Sequence, residues 1–187
     1  MASDASKQLV MLINKILTPE GYKKKASEWR KESSECIPYL WLQRSLYSDT
    51  FYINMRSVIK SIAPQDVSKH YASVQCRFME FYFPDKVELL DFNANELMVN
   101  TEKINRFGAI LASKGLELMK MMETIEGIRV LTQTEPLVWW LDRISQDSGL
   151  FPEYEMVLAK AREKALSVSD QNSHSSHSAN APTGKGL

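Results

Sequence analysis

Apolar residues recur at Leu9, Leu12, Ile13, Ile16 and Leu17, the i, i+3, i+4, i+7, i+8 spacing that lays one stripe along a helix. Ser3 or Asp4 can cap that helix, and it must stop near Leu17, because Pro19 disfavours helical backbone at Thr18 and Gly21 supplies a turn. The period then falls to two. Residues 36–46 and 50–59 are rich in β-branched, aliphatic and aromatic types, with Ser48 and Asp49 between them. A hairpin with residues 47–50 as its loop sets Leu46 opposite Phe51, Ser45 opposite Tyr52, Gln43 opposite Asn54 and Trp41 opposite Arg56. One face is then polar and aromatic, and the other carries Leu40, Leu42, Phe51, Ile53 and Met55. A one-residue slip would mix the two sets. Pro38, lacking a donor, points to an edge position or a bulge early in the first strand. A further strand is expected over residues 70–78, with Ala72, Val74, Cys76 and Phe78 on one side and Tyr71, Ser73, Gln75 and Arg77 on the other.

The second half returns to helical spacing. Ile104, Phe107, Ile110, Leu111, Leu118, Met119 and Met122 fit one long helix capped near Thr101, with Gly108 and Gly115 lowering its local propensity. Thr124 is placed to cap a short helix through Val130, another is expected over residues 137–144, and Pro152 opens a last one through Leu166. Strands followed by helices define an α+β class: an antiparallel sheet of about four strands after an N-terminal helix, covered on one face by C-terminal helices. Trp139, Trp140 and the methionines of the long helix are read as core packing.

Composition trims this picture at one end. Residues 167–187 contain six serines, His174, His177, Pro182 and two glycines, with almost no large apolar side chains. Such a segment cannot bury enough surface to offset the entropy of ordering, so a disordered tail is expected after a single domain over residues 1–166. The two tail histidines lack a third ligand, and no metal site is read there. The chain carries 23 basic and 23 acidic residues among 187, a net charge of zero. That balance argues against a nucleic-acid or anionic-membrane partner, which needs surplus Lys and Arg. The zero is a cancellation, however: residues 1–62 hold 10 basic and 6 acidic groups, and residues 63–166 hold 12 and 16. Lys23, Lys24 and Lys25 form a run too small for a nucleic-acid footprint and suit a solvated turn or strand edge. The first apolar run is too short for a signal peptide or a membrane span, which makes a cytoplasmic address the expectation, and Cys36 and Cys76 are read as reduced, packed thiols.

Catalytic motifs do not stand out. The body has one histidine, His70, and lacks HExxH, CxxC, GxSxG and phosphate-binding glycine loops. Asp85, Glu88 and Asp91 cluster in sequence, but carboxylates of this kind commonly cap turns and helix starts. A small enzyme using a carboxylate or His70 as acid and base is the alternative reading. The main one is a non-catalytic binding module without cofactor or metal. Its candidate site is the polar hairpin face: Gln43, Ser45, Tyr52 and Asn54 for hydrogen bonds, Arg56 and Arg77 as cationic forks, and Trp41 as an apolar plate. The expected occupant is a protein, as for an immunity or antitoxin protein, or a small anionic ligand.

Several of these pieces occur in the order of a known family. The opening helix with Gly21-Tyr22-Lys23-Lys24-Lys25, Trp29-Arg30, Gln43-Arg44-Ser45 and Phe51-Tyr52-Ile53-Asn54 resembles the bacterial family called domain of unknown function 4304. Arg77-Phe78, Pro84-Asp85-Lys86, Leu90-Asp91-Phe92 and Thr124-Ile125-Glu126-Gly127 extend the resemblance, which spans about residues 9–131. The sequence departs from the pattern at Ala26, where glycine is common, and at Pro38, where a strand former is common. The resemblance implies a small α+β domain in a bacterial cytoplasm and brings no established catalytic mechanism.

Overall fold

The computed structural model describes residues 4–45, 50–65, 71–78, 92–93 and 101–175. Helix α1 (Asp4–Leu17) buries Leu9, Ile13 and Leu17 completely, with Leu12 and Ile16 on the flanks of the same stripe. Its end is closed by Gly21 at φ 87°, which lets the Tyr22 N–H reach back to the Leu17 carbonyl at 3.2 Å.

Seven antiparallel strands follow among the described residues, three more than the pattern suggested: β1 (Lys23–Lys25), β2 (Glu28–Arg30), β3 (Cys36–Arg44), β4 (Thr50–Ile59), β5 (Val74–Arg77), β6 (Phe92–Asn93) and β7 (Trp140–Leu141). The sheet order is β1-β2-β3-β4-β5-β7, and β6 pairs with β4. The additional strands are two or three residues long, too short to print a period on the sequence. The lysine run forms the exposed outer strand β1, where charged side chains discourage a second sheet from adding.

The central hairpin has the expected faces with a different register. Leu40, Leu42, Phe51, Ile53 and Met55 are all buried toward the helices. Arg44 stands opposite Phe51, Gln43 opposite Tyr52, Trp41 opposite Asn54 and Tyr39 opposite Arg56, a shift of two residues from the predicted pairing. A two-residue shift preserves every side chain's face, so period-two patterning alone cannot choose between the two registers. Pro38 lies inside β3, opposite Ser57, and its carbonyl accepts from the Lys31 N–H at 3.1 Å. The N–H and C=O of one residue point to the same side in an antiparallel strand, so the missing donor faces the position just past the end of β2.

Ala26 links β1 to β2 at φ 55°, the left-handed region where glycine is at ease and an L side chain costs about 1–2 kcal/mol. Ala26→Gly is therefore expected to stabilise the fold by about 0.5–1 kcal/mol after the extra chain entropy of glycine is subtracted. An unchanged or lower midpoint in urea would contradict this.

Helix α2 (Thr101–Ile110) continues through a π turn (Leu111–Gly115) into α3 (Leu116–Met121), realising the long helix with one widened turn. Phe107, Leu111, Leu118, Met119 and Met122 all face the core. Thr124 caps α4 (Ile125–Thr134) as expected, its Oγ1 accepting from the Gly127 N–H at 3.0 Å. Residues 137–144 are not a helix: β7 occupies Trp140–Leu141, and Asp142 then caps α5 (Arg143–Asp147) by accepting from the Ser145 N–H at 2.9 Å. Helix α6 (Tyr154–Ser175) runs past residue 166, and residues 176–187 of the expected tail lie outside the described residues. No described helix is long and apolar enough to cross a membrane.

Candidate functional site

The sheet has a core face, packed by the helices, and a second face with different chemistry. On the second face β2 contributes Glu28 and Arg30, β3 contributes Tyr39, Trp41 and Gln43, β4 contributes Tyr52, Asn54 and Arg56, and β5 contributes Gln75 and Arg77. Three guanidinium groups lie over rings of this face: Arg30 on Tyr39 at 4.4 Å, Arg56 on Trp41 at 4.2 Å and Arg77 on Tyr52 at 4.5 Å. Each stack is worth about 0.5–1 kcal/mol at a partly exposed site, so its main consequence is geometric: the planar forks are held at fixed positions along the sheet. Arg30 also donates to the Glu28 carboxylate at 2.8 Å.

One end of this face is closed. Tyr39, Val58 and Ala72 form a small second core with Ile37, Trp41, Ala63 and Tyr71 around it. The Tyr39 hydroxyl donates to the Tyr71 carbonyl at 2.8 Å. Burial raises the Tyr39 pKa, and the guanidiniums of Arg56 and Arg30 offset part of that rise.

Of the residues singled out from sequence, Trp41, Gln43, Tyr52, Asn54, Arg56 and Arg77 share the second face. Ser45 sits one residue beyond the end of β3 and is not in the paired ladder, a direct result of the register shift. The Asn54 amide donates to the Gln43 side-chain oxygen at 3.2 Å, which ties these two side chains across the hairpin. His70, Asp85, Glu88 and Asp91 lie outside the described residues. Among the described residues no group of three or more His, Cys, Asp or Glu side chains is arranged to hold a metal ion.

Five contributors escaped the sequence reading: Glu28, Arg30, Tyr39, Gln75 and Trp140. Trp139 is fully buried as core packing requires, but Trp140 is 51% exposed and pairs with Gln75 on the second face. Adjacent residues of an extended segment point to opposite sides, so two neighbouring tryptophans there cannot both be core, but the sequence does not mark which one is buried. Beside Trp140 the surface dips into a cleft of about 230 Å³ lined by Asn54, Gln75, Cys76, Arg77, Val138 and Trp140.

The β7 edge does not offer an equivalent docking route. On the outer side of β7, the Leu141 carbonyl accepts from the Gln146 amide at 2.7 Å and the Trp139 carbonyl from the Tyr154 hydroxyl at 3.0 Å. Edge groups satisfied in this way do not template an added strand.

The two cysteines are free and buried. Burial is the largest cause pushing the Cys36 thiol up to about 12, with Glu35 adding to it and Ser57 and Lys60 opposing. A thiol held neutral in the core is a poor nucleophile. In the unfolded chain the same thiol ionises near 8.5, so its contribution to stability is complete below that pH and is lost as pH rises toward about 12. Relative to Cys36→Ala, the natural chain should lose stability between about pH 9 and 12. Parallel pH dependences in urea titrations would refute that.

The architecture is thus an α+β domain in which helices back one face of an antiparallel sheet and the other face carries stacked arginines. Residues 13–101 match the family described as Domain of unknown function (DUF4304). The match takes in the end of α1 from Ile13 and strands β1 to β6, and so most of the second face; Trp140 and the Thr124–Gly127 turn lie beyond it. No curated protein and no solved structure matches the chain.

Proposed function

We propose that the chain is a non-catalytic binding module that holds an acidic protein partner on the second face of its sheet. The carrying observation is the row of three arginines stacked on aromatic rings across β2 to β5. Carboxylates bind guanidinium forks through short, charge-assisted hydrogen bonds, and a fork already held in place loses less entropy on binding. Among the described residues, the strands set three arginines against one carboxylate on this face, Glu28, which is tied to Arg30. Aromatic and arginine side chains are also the types enriched at the energetic centres of protein interfaces. The setting proposed is the cytoplasm, in keeping with two free, buried thiols.

The test is affinity capture with the natural chain and with a triple variant, Arg30→Gln, Arg56→Gln and Arg77→Gln, identified by mass spectrometry. An acidic protein retained by the natural chain, released by added salt and lost from the triple variant is the expected result. The variant must still unfold cooperatively for the comparison to count, and single Arg77→Gln and Arg30→Gln proteins provide it if the triple does not. Equal retention of the same proteins by natural and variant chains overturns the proposal.

A further inference from the structure

Resting on that reading of the face, we infer that the cleft beside Trp140 is the pocket for a single acidic side chain of the partner. The residues come together through two neighbouring cross-strand pairs, Asn54 with Arg77 and Gln75 with Trp140, which place a cation, two amides and an aromatic plate on three adjacent strands. Arg77 is steadied from below by the Tyr52 ring at 4.5 Å, and Asn54 by its bond to Gln43 at 3.2 Å.

Volume selects the kind of occupant. At about 230 Å³ the cleft falls below the roughly 300–1,000 Å³ usual for pockets that enclose a whole small molecule. It suits one protruding side chain. The chemistry selects a carboxylate: Arg77 offers charge-assisted donors, Gln75 and Asn54 offer amides, and Trp140 and Val138 offer apolar wall for the methylene stem of a glutamate. Trp140 leaves half its surface in water, and Leu137 and Ile144, near it in sequence, are likewise 55% and 40% exposed. A large aromatic left exposed beside a cation is what a partner's side chain would cover.

The probe is a hexaglutamate peptide titrated into isotope-labelled full-length protein, observing the Trp140 indole, the Arg77 side chain and the Gln75 and Asn54 amides by NMR. Saturable shifts centred on these four are expected, weakened about tenfold or more in Arg77→Gln, the loss anticipated for one charge-assisted contact, and within about twofold of natural in Lys160→Gln, an exposed position on α6. A neutral hexaglutamine peptide should produce no shifts, and inorganic phosphate should bind more weakly than hexaglutamate. Shifts centred on Arg30 and Arg56 with Trp140 unmoved overturn the cleft assignment while leaving the face as the binding surface. Tighter binding of phosphate overturns the choice of a carboxylate. Shifts at none of the arginines overturn both the cleft and the face.

Discussion

Gly127→Ala is expected to destabilise the chain by about 3 kcal/mol or more, reversing the gain of up to about 1 kcal/mol that alanine normally brings to a helix. A Cβ at this position would run into the Met121 carbonyl oxygen and stand 2.7 Å from its carbon. The obstacle is backbone, so no rotamer change relieves it. The corner between α3 and α4 has little freedom to retreat, because the turn after β2 grips it at several points. Lys31 pairs with the Glu123 carboxylate at 2.7 Å, the Ser33 hydroxyl donates to the Glu123 carbonyl at 2.7 Å, and Glu35 accepts from the Ile125 N–H at 2.8 Å. Against total stabilities of about 5–15 kcal/mol such a loss is a large fraction. Urea unfolding of Gly127→Ala checks it, and a midpoint equal to or above that of the natural chain would mean that the helices part at no cost.

The same clasp explains why an α+β chain with its helices late in sequence folds onto one face only. Ser57, fully buried on the core side of β4, donates to the Met122 carbonyl at 2.9 Å, so the end of α3 is tied to the central strand as well as to the turn. These ties are made by polar groups at helix ends, where unpaired carbonyls and N–H groups otherwise go unsatisfied. No such tie among the described contacts draws a helix to the second face.

Much of this was legible in residue order. Alternation sorted Leu40, Leu42, Ile53 and Met55 from Trp41, Gln43, Tyr52 and Asn54, because burial of one face enforces that sorting. It left the register open by two residues, and Ser45 was misplaced for that reason. Helical spacing located α1 and the run from α2 to α3, but a π turn changes local winding without disturbing which residues face inward, so it had no signature. Two-residue β7 fell within the helix expected over residues 137–144, since a strand this short prints no period on the sequence. Missing β7 meant missing Trp140 and the cleft. Missing β2 as a strand meant missing Arg30, since three residues carry no measurable period.

Trp29→Ala should cost about 3–5 kcal/mol, and its effect should reach the second face. Trp29 is fully buried in the middle of β2, opposite Leu40, and its indole N–H donates to the Asn14 side chain of α1 at 2.7 Å. One side chain thus locks a three-residue strand both to the sheet and to the first helix. Its neighbours Glu28 and Arg30 point the opposite way, toward Trp41 and Tyr39, and they hold their places only because Trp29 holds its own. Truncation removes the anchor and leaves a cavity that backbone this short cannot fill by collapse. Trp29→Phe keeps most of the volume and loses the donor, so it should cost clearly less, about 1–3 kcal/mol for the unpaired Asn14 oxygen and the reduced packing. Denaturant midpoints order the three proteins as natural, Trp29→Phe, Trp29→Ala. The Arg30 side-chain NMR signal supplies the second readout: it should lose its ring-shifted position over Tyr39 in Trp29→Ala and keep it in Trp29→Phe. An Arg30 signal unmoved in Trp29→Ala would show that β2 is held by its ladder alone, and that the arginine row on the second face does not depend on packing beneath the sheet.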